Sequence, residues 1–263
     1  MRIELDVSKN AQQNALSFFD RAKRIRQKID GARDGMDKVR KKLGGLSETV
    51  LDKKKEPVSL RKKDWFEKFR WCFTRNGFLL VGGKDAHSNE LLVKRHLEKG
   101  DRYFHADVHG APHCVLKNGQ SASAEDLEDA SVFAGLFSSV WKKGFFSVKV
   151  YSVLPDQVSK KAPSGESLGR GSFMIYGKRD WFDPVLRAGL GVQKVKDGFR
   201  PVCGPFLAVS SFGELVREIV SGEHSKSSVA KSFVSFVSFK DKSISLSLDD
   251  VMGVLPNGLL SLK

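Results

Sequence analysis

From Ala11 to Leu43 the apolar residues fall at Ala11, Ala15, Phe18, Ala22, Ile25, Ile29, Ala32, Met36, Val39 and Leu43, spaced alternately four and three apart. A heptad stripe of that length predicts one long helix with a narrow apolar seam, a coiled-coil element rather than a helix of a globular core. Ser8 is expected to cap its start, and Gly44-Gly45 to end it. One helix cannot bury its own seam, so the stripe requires a returning helix, a second copy or another chain. The segment Leu46–Lys55 has room for roughly two or three turns before Pro57, a short return that leaves part of the seam uncovered.

Beyond a basic linker, Pro57–Lys63, the pattern changes to short alternating segments. Asp64 is expected to cap a short helix over Trp65–Arg70. Phe78–Val81 reads as a strand between Asn76-Gly77 and Gly82-Gly83 turns, Asn89–Leu97 as a helix, and Arg102–His105 and Cys114–Lys117 as strands. Glu125–Lys142 is expected to form a single helix, followed by strands at Phe146–Leu154 and Phe173–Tyr176. Strands grouped around a few helices predict an α+β domain with a mixed sheet, from about Asp64 to Leu190. The serine-rich remainder contains Ser232–Phe239, SFVSFVSF. Entered as a helix at Ser225 or Ser228, that run places Phe233, Val237 and Lys240 on one face; a strand is the alternative.

Charge narrows the function. Lys and Arg number 45 against 31 Asp and Glu, a net +14, which favours polyanions, nucleic acid first and an anionic membrane second. The basic residues are distributed, from Lys53-Lys54-Lys55 and Arg61-Lys62-Lys63 through Lys94-Arg95 and Lys142-Lys143 to Lys160-Lys161 and Lys178-Arg179. Cys72, Cys114 and Cys203 lie far apart, arguing for a reducing compartment and against a zinc ribbon or a disulfide framework. The start, MRIELDVSKN, has no apolar core of a signal peptide, and no apolar run approaches a membrane span. A soluble, cytoplasmic protein is expected.

Trp65–His113 mixes basic residues with Trp65, Phe66, Phe69, Trp71 and Phe73, rings that either stack on bases or fill a core. His105, Asp107 and His109 alternate, and on a strand would share one face. Three readings stay open for them: a metal site or a general acid/base group completed by Asp85, Glu90 and His113; phosphate or ribose donors oriented by Asp107; or a polar network that fixes a turn. Asp85 and Asn89-Glu90 sit where carboxylates and amides cap a helix start. Lys160, Lys161 and Arg170, with Ser164-Gly165-Glu166, form either a phosphate-binding rim or a solvated loop. Gly82-Gly83-Lys84 lacks P-loop spacing, and no GxGxxG, GxSxG or HExxH is present.

The run Gly82-Gly83-Lys84-Asp85-Ala86-His87-Ser88-Asn89-Glu90, then His105-Ala106-Asp107-Val108-His109-Gly110-Ala111, resembles the RNA-binding (NFACT-R) domain of the NFACT family. Gln157–Lys160 with Ala162–Glu166, and Gly171–Arg179, fit the same domain in the same order. The resemblance implies a coiled-coil arm over 1–56, the mixed-sheet RNA-binding domain over 57–190 and a small C-terminal α/β extension over 191–263. It also implies a role in ribosome quality control. The expected partners are tRNA, large-subunit rRNA and a large ribosomal subunit that holds an obstructed peptidyl-tRNA. Lys84, Lys94, Arg95, His105, His109, Lys160, Lys178 and Arg179 are the expected RNA contacts, with Asp85, Asn89, Glu90 and Asp107 as polar organisers. No catalytic residue, cofactor or metal is expected.

Family members carry an N-terminal NFACT domain and a helix-hairpin-helix module ahead of the arm. Neither precedes the arm here, so a separate NFACT N-terminal chain is a further expected partner, and the chain alone is not expected to extend nascent peptides. The alternatives are an RNA-processing or RNA-modifying enzyme using His105, Asp107 and His109, or a basic coiled-coil adaptor for DNA or membrane.

Overall fold

The proline-free heptad segment forms a single helix, α1 (Ala11–Gly44). In the computed structural model, residues 5–8, 10–44, 63–161 and 168–263 are described, and the chain divides into two units, Met1–Leu60 and Arg61–Lys263. Asn10, rather than Ser8, caps α1. Its side chain accepts from Gln13 N (2.8 Å) while Gln13 Oε1 accepts from Asn10 N (3.1 Å), a reciprocal box that Ser8 lies too far upstream to make. The Ser8 hydroxyl turns instead to Asp6 (2.6 Å). Phe18, Ile25, Ile29, Met36 and Val39 of the seam are exposed. The expected returning helix and the basic linker up to Lys62 lie outside the described residues.

In the second unit, Asp64 precedes a single 3-10 turn, Trp65–Lys68, instead of a helix reaching Arg70. Arg70 already belongs to β1 (Arg70–Phe73), which pairs with β2 (Leu79–Gly82) through a tight turn. Next come α2 (Ala86–His96), β3 (Arg102–Ala106) and β4 (Cys114–Leu116). The helix expected over Glu125–Lys142 is split into α3 (Ala124–Leu136) and α4 (Ser139–Lys142). Ser138 causes the break: its hydroxyl donates to Gly135 O (2.7 Å) and accepts from Val140 N (3.2 Å), ending one helix and capping the next. Then follow β5 (Val150–Val153), the small ribbon β6 (Val158–Ser159) and β7 (Met174–Ile175), and β8 (Asp180–Phe182).

The main sheet has the order β1-β2-β4-β3-β5-β8, and every pairing in it is antiparallel, where a mixed sheet was expected. The reason is topological. The chain crosses from β2 through α2 to β3 and returns to the same direction, but β4 inserts between those two strands and separates the parallel pair.

The C-terminal part is built from β9 (Ala188–Val195), β10 (Gly198–Pro205), α5 (Phe206–Phe212), β11 (Glu214–His224), α6 (Lys226–Lys240), α7 (Leu248–Val254) and β12 (Leu260–Leu262). Its four strands form a second antiparallel sheet, β10-β9-β11-β12. The Phe-Val-Ser run is helical: Ser225 caps α6 by accepting from Ser228 N (3.2 Å), and Val229, Phe233 and Val237 are buried on one face. One apolar core holds Phe66, Leu80, Phe104 and Phe133 together with Leu190, Val202, Ile219 and Phe233. The two sheets therefore share an interior, and the expected boundary between 190 and 191 falls within β9. Cys72, Cys114 and Cys203 are buried free thiols; burial pushes the Cys203 thiol up to about 12.

Candidate nucleic-acid interface

Strand alternation directs Tyr103 and His105 to one face of β3. Cross-strand register then sets Tyr151 of β5 opposite His105, and Trp181 of β8 opposite Tyr151. The ring centroids are 5.8 Å apart for His105–Tyr151 and 5.5 Å apart for Tyr151–Trp181. Three adjacent strands thus carry a continuous row of rings, ending on the sheet edge where Trp181 is 49% exposed. The Arg179 guanidinium lies 4.6 Å from the Tyr151 ring centroid and 6.0 Å from that of Trp181.

Beside this row opens a cleft of about 450 Å³, lined by Tyr103, His105, His109, His113, Tyr151 and Phe173, with Arg70, Lys84, Asn89 and Asn257 on its polar side. His113 is the hinge of its wall. Nε2 faces the Gly171 carbonyl at 2.8 Å, and a carbonyl only accepts, so Nε2 carries the proton. Nδ1 is then left to accept from the buried Tyr103 hydroxyl. Burial holds His113 down to about 3, with His105 adding to the effect, and burial, with a smaller push from Arg179, holds His105 down to about 4 despite nearby Asp107. Both rings are neutral at pH 7. His105 therefore offers a ligand a ring and a neutral hydrogen-bonding group, not a cation.

The glycine-rich start of α2 organises the opposite wall. Asp85 caps the helix by accepting from Ser88 N (2.7 Å), and Lys84 N donates to Ser88 Oγ (2.8 Å). Asn89 Oδ1 accepts from His113 N (3.1 Å), tying α2 to β4. Glu90 accepts from Lys94 Nζ (2.6 Å) and from Gly171 N (3.0 Å), which together push its carboxyl down to about 2. Asp85, Asn89 and Glu90 thus make local organising contacts. Asp107, by contrast, is exposed and contributes a backbone bond to Lys149 O (2.8 Å).

The expected contacts separate by environment. Lys84, His105 and His109 line the cleft. Lys160 is committed to structure: it donates to Gly169 O (2.8 Å) and Ser172 O (3.1 Å) and sits over Phe173. Lys94, Arg95 and Lys178 are exposed outside the lining. Lys161 and Arg170 of the expected rim are also exposed, while Ser164-Gly165-Glu166 lies outside the described residues.

Two expectations change. β3 ends at Ala106, and Val108 N turns back to Ala106 O (2.7 Å), so the alternation of His105, Asp107 and His109 stops before they can share a face. Among the described residues no group of three or more His, Cys, Asp or Glu is placed to hold a metal ion. The aromatic run is largely core, with Phe66, Phe69 and Trp71 buried. Arg200 covers Trp71 at 4.2 Å while paired with Asp64 (2.7 Å) and Glu67 (3.0 Å). Of the ring row, Trp181 is exposed and Tyr151 is buried beneath it, and Trp181 follows the basic pair Lys178-Arg179 that the charge pattern already marked.

Gly171 closes the cleft by a contact only glycine makes. Its φ is +75°, and a Cβ there would lie 2.7 Å from Ala86 O. Gly171→Ala is expected to cost about 1–3 kcal/mol, read as a lowered denaturation midpoint; an unchanged midpoint would contradict this wall geometry.

The family model described as the NFACT protein RNA binding domain matches residues 68–177. Among curated proteins, the "Archaeal Rqc2 homolog aRqcH" of Methanocaldococcus jannaschii is 36% identical over 200 residues, which cover 73% of this chain and 30% of that protein. "Ribosome quality control complex subunit NEMF" of Homo sapiens is 36% identical over 179 residues, 66% of this chain and 16% of that protein. The Drosophila melanogaster homolog of that subunit is 34% identical over 205 residues, 75% of this chain and 20% of that protein. The chain spans less than a third of the length of each of these relatives.

Proposed function

Because this chain belongs to the NFACT family and carries its RNA binding domain, we propose that it is an RNA-binding component of ribosome-associated quality control. Its targets in this reading are tRNA and the large ribosomal subunit with an obstructed peptidyl-tRNA. The observation that carries the reading is the ring row His105–Tyr151–Trp181 beside a cleft edged by Lys84 and Arg70. Flat rings next to cations suit unpaired, splayed bases and the backbone that links them, the way single-stranded parts of folded RNA are held. The names of the relatives support the ribosomal setting.

The role proposed is binding without catalysis of its own. An RNA-processing centre at His105, Asp107 and His109 loses its geometric basis once the strand ends at Ala106. No described helix is long and apolar enough to cross a membrane. Distributed basic residues supply the non-specific part of the affinity, which salt weakens. Substituting Lys94 and Arg95 together by alanine is expected to weaken tRNA binding and to lower the slope of log K against log salt by about one to two counterions. Lys94 already pairs with Glu90, so most of that change is assigned to Arg95. Filter binding across a salt series tests this, and a slope equal to the wild type's removes these residues from the interface. Duplex DNA is the comparison ligand: affinity equal to that for tRNA would favour a generic basic adaptor.

A further inference from the structure

The buried Arg200 and the half-buried Arg75 are each matched with two carboxylates. Arg200 has Asp64 and Glu67, and Arg75 has Asp129 and Glu128. Arg70 breaks this pattern. It is 8% exposed and lines the cleft, with its guanidinium 4.4 Å from the Phe137 ring centroid. Its Nη1 donates to the Leu255 carbonyl (3.1 Å), and the same oxygen accepts from Lys226 Nζ (2.9 Å). Two cationic side chains thus converge on one neutral acceptor. Lys84, from the turn after β2, lines the same cleft, and burial, then Arg70 and Lys63, disfavour its charge against a smaller opposing effect of Asp85. Among the described residues none of Arg70, Lys84 and Lys226 pairs with a carboxylate. Burial, then Arg70, holds the Lys226 ammonium down to about 8, against an opposing effect of Cys203 and with a smaller addition from Lys84.

Converging, half-desolvated cations without a counter-charge are costly in an empty site, and an arriving anion relieves that cost. We infer that Arg70, Lys84 and Lys226, with Asn257 at the cleft edge, form a subsite for one phosphate group of the bound RNA. The inference rests on the RNA-binding reading and deepens it. Lys226 and Asn257 lie outside the matched residues 68–177, so the C-terminal segment completes the interface instead of merely buttressing it. A phosphate suits the arrangement because Arg70 and Lys84 line the cleft while Lys226, outside the lining, meets Arg70 at the Leu255 carbonyl, so the cations come from β1, the turn before α2 and α6, and a tetrahedral anion offers acceptors in several directions.

The test uses the full chain and its Lys226→Gln and Lys226→Arg variants. Inorganic phosphate is titrated while the Arg70 and Asn257 side-chain resonances are followed by NMR. In parallel, a single-stranded RNA bearing either a 5′-phosphate or a 5′-hydroxyl is titrated by fluorescence anisotropy across a salt series. Wild type and Lys226→Arg are expected to show saturable phosphate shifts, weakened about fivefold or more in Lys226→Gln. The RNA salt slope of Lys226→Gln is expected to fall by about 0.7, the value of one phosphate on a single strand. The same change with both oligonucleotides assigns an internal phosphodiester, and a change confined to the 5′-phosphorylated one assigns a terminal phosphate. Absence of saturable shifts at Arg70 and Asn257 in the wild type overturns the subsite, as does an unchanged slope in Lys226→Gln that still binds RNA. Should wild type bind no RNA at all, the proposed function fails, and the phosphate titration still decides the subsite.

Discussion

Lowering the pH from 7 to 5 is expected to destabilise the Arg61–Lys263 unit steeply, before its carboxylates titrate. Burial holds His113 and His105 neutral, down to about 3 and about 4, whereas in the unfolded chain they titrate near the ordinary value of about 6.5. Below that value the unfolded state takes up protons that the folded state refuses, so stability falls with falling pH. Each ring contributes about 1.4 kcal/mol per pH unit, and the loss levels off only near the folded values. His96 is shifted in the same direction, again chiefly by burial. Between about pH 6.5 and pH 5 the two rings together remove about 4 kcal/mol, a large share of the stability of an ordinary domain.

Urea midpoints measured at pH 7, 6 and 5 check this, and a pH-independent midpoint would contradict two buried neutral imidazoles. Mutation separates the rings. His113→Phe leaves the buried Tyr103 hydroxyl without its partner, a cost of about 1–3 kcal/mol. Adding Tyr103→Phe is expected to recover part of that cost while keeping the shallower pH slope.

The second large effect concerns recognition. Trp181→Ala is expected to weaken binding of single-stranded RNA by about 1–3 kcal/mol, roughly five- to 150-fold in Kd. Its thermal midpoint should stay close to that of wild type, because Trp181 is half-exposed on the edge strand β8. Trp181→Phe keeps a π-face beside Arg179 and should retain most of the affinity. Anisotropy titrations of both variants decide the matter. Wild-type affinity in Trp181→Ala would remove the ring row from the interface.

The sequence revealed most where one local rule acted alone. The heptad spacing of α1, the cap at Asp85 and the buried face of α6 are all written in residues three or four apart. The antiparallel sheet was hidden because the insertion of β4 between β2 and β3 is a long-range choice that no local pattern records. Ser138 split α3 from α4 through two hydrogen bonds that compete with helix continuity, although the apolar periodicity runs through the break.

The site was legible in part. Asp85, Asn89 and Glu90 organise the start of α2, and Lys84, His105 and His109 meet at the cleft. Lys160 looked like a free cation but holds backbone carbonyls of its own loop. Tyr151, Trp181 and Arg70 emerged only with the fold, and His113, read in the sequence only as completing a metal or acid/base site, took its structural role there. Their relation depends on strand register, and on a carbonyl at Leu255, 185 residues from Arg70. The bare pattern of His105, Asp107 and His109 misled about geometry because alternation was extended beyond the end of its strand.

The most direct test of the account is co-sedimentation of the chain with purified large and small ribosomal subunits, each with and without a P-site peptidyl-tRNA. The account predicts selective pelleting with large subunits that hold the peptidyl-tRNA, retained at salt concentrations that strip it from small subunits. Equal, salt-labile binding to every particle would contradict it and leave a generic basic module.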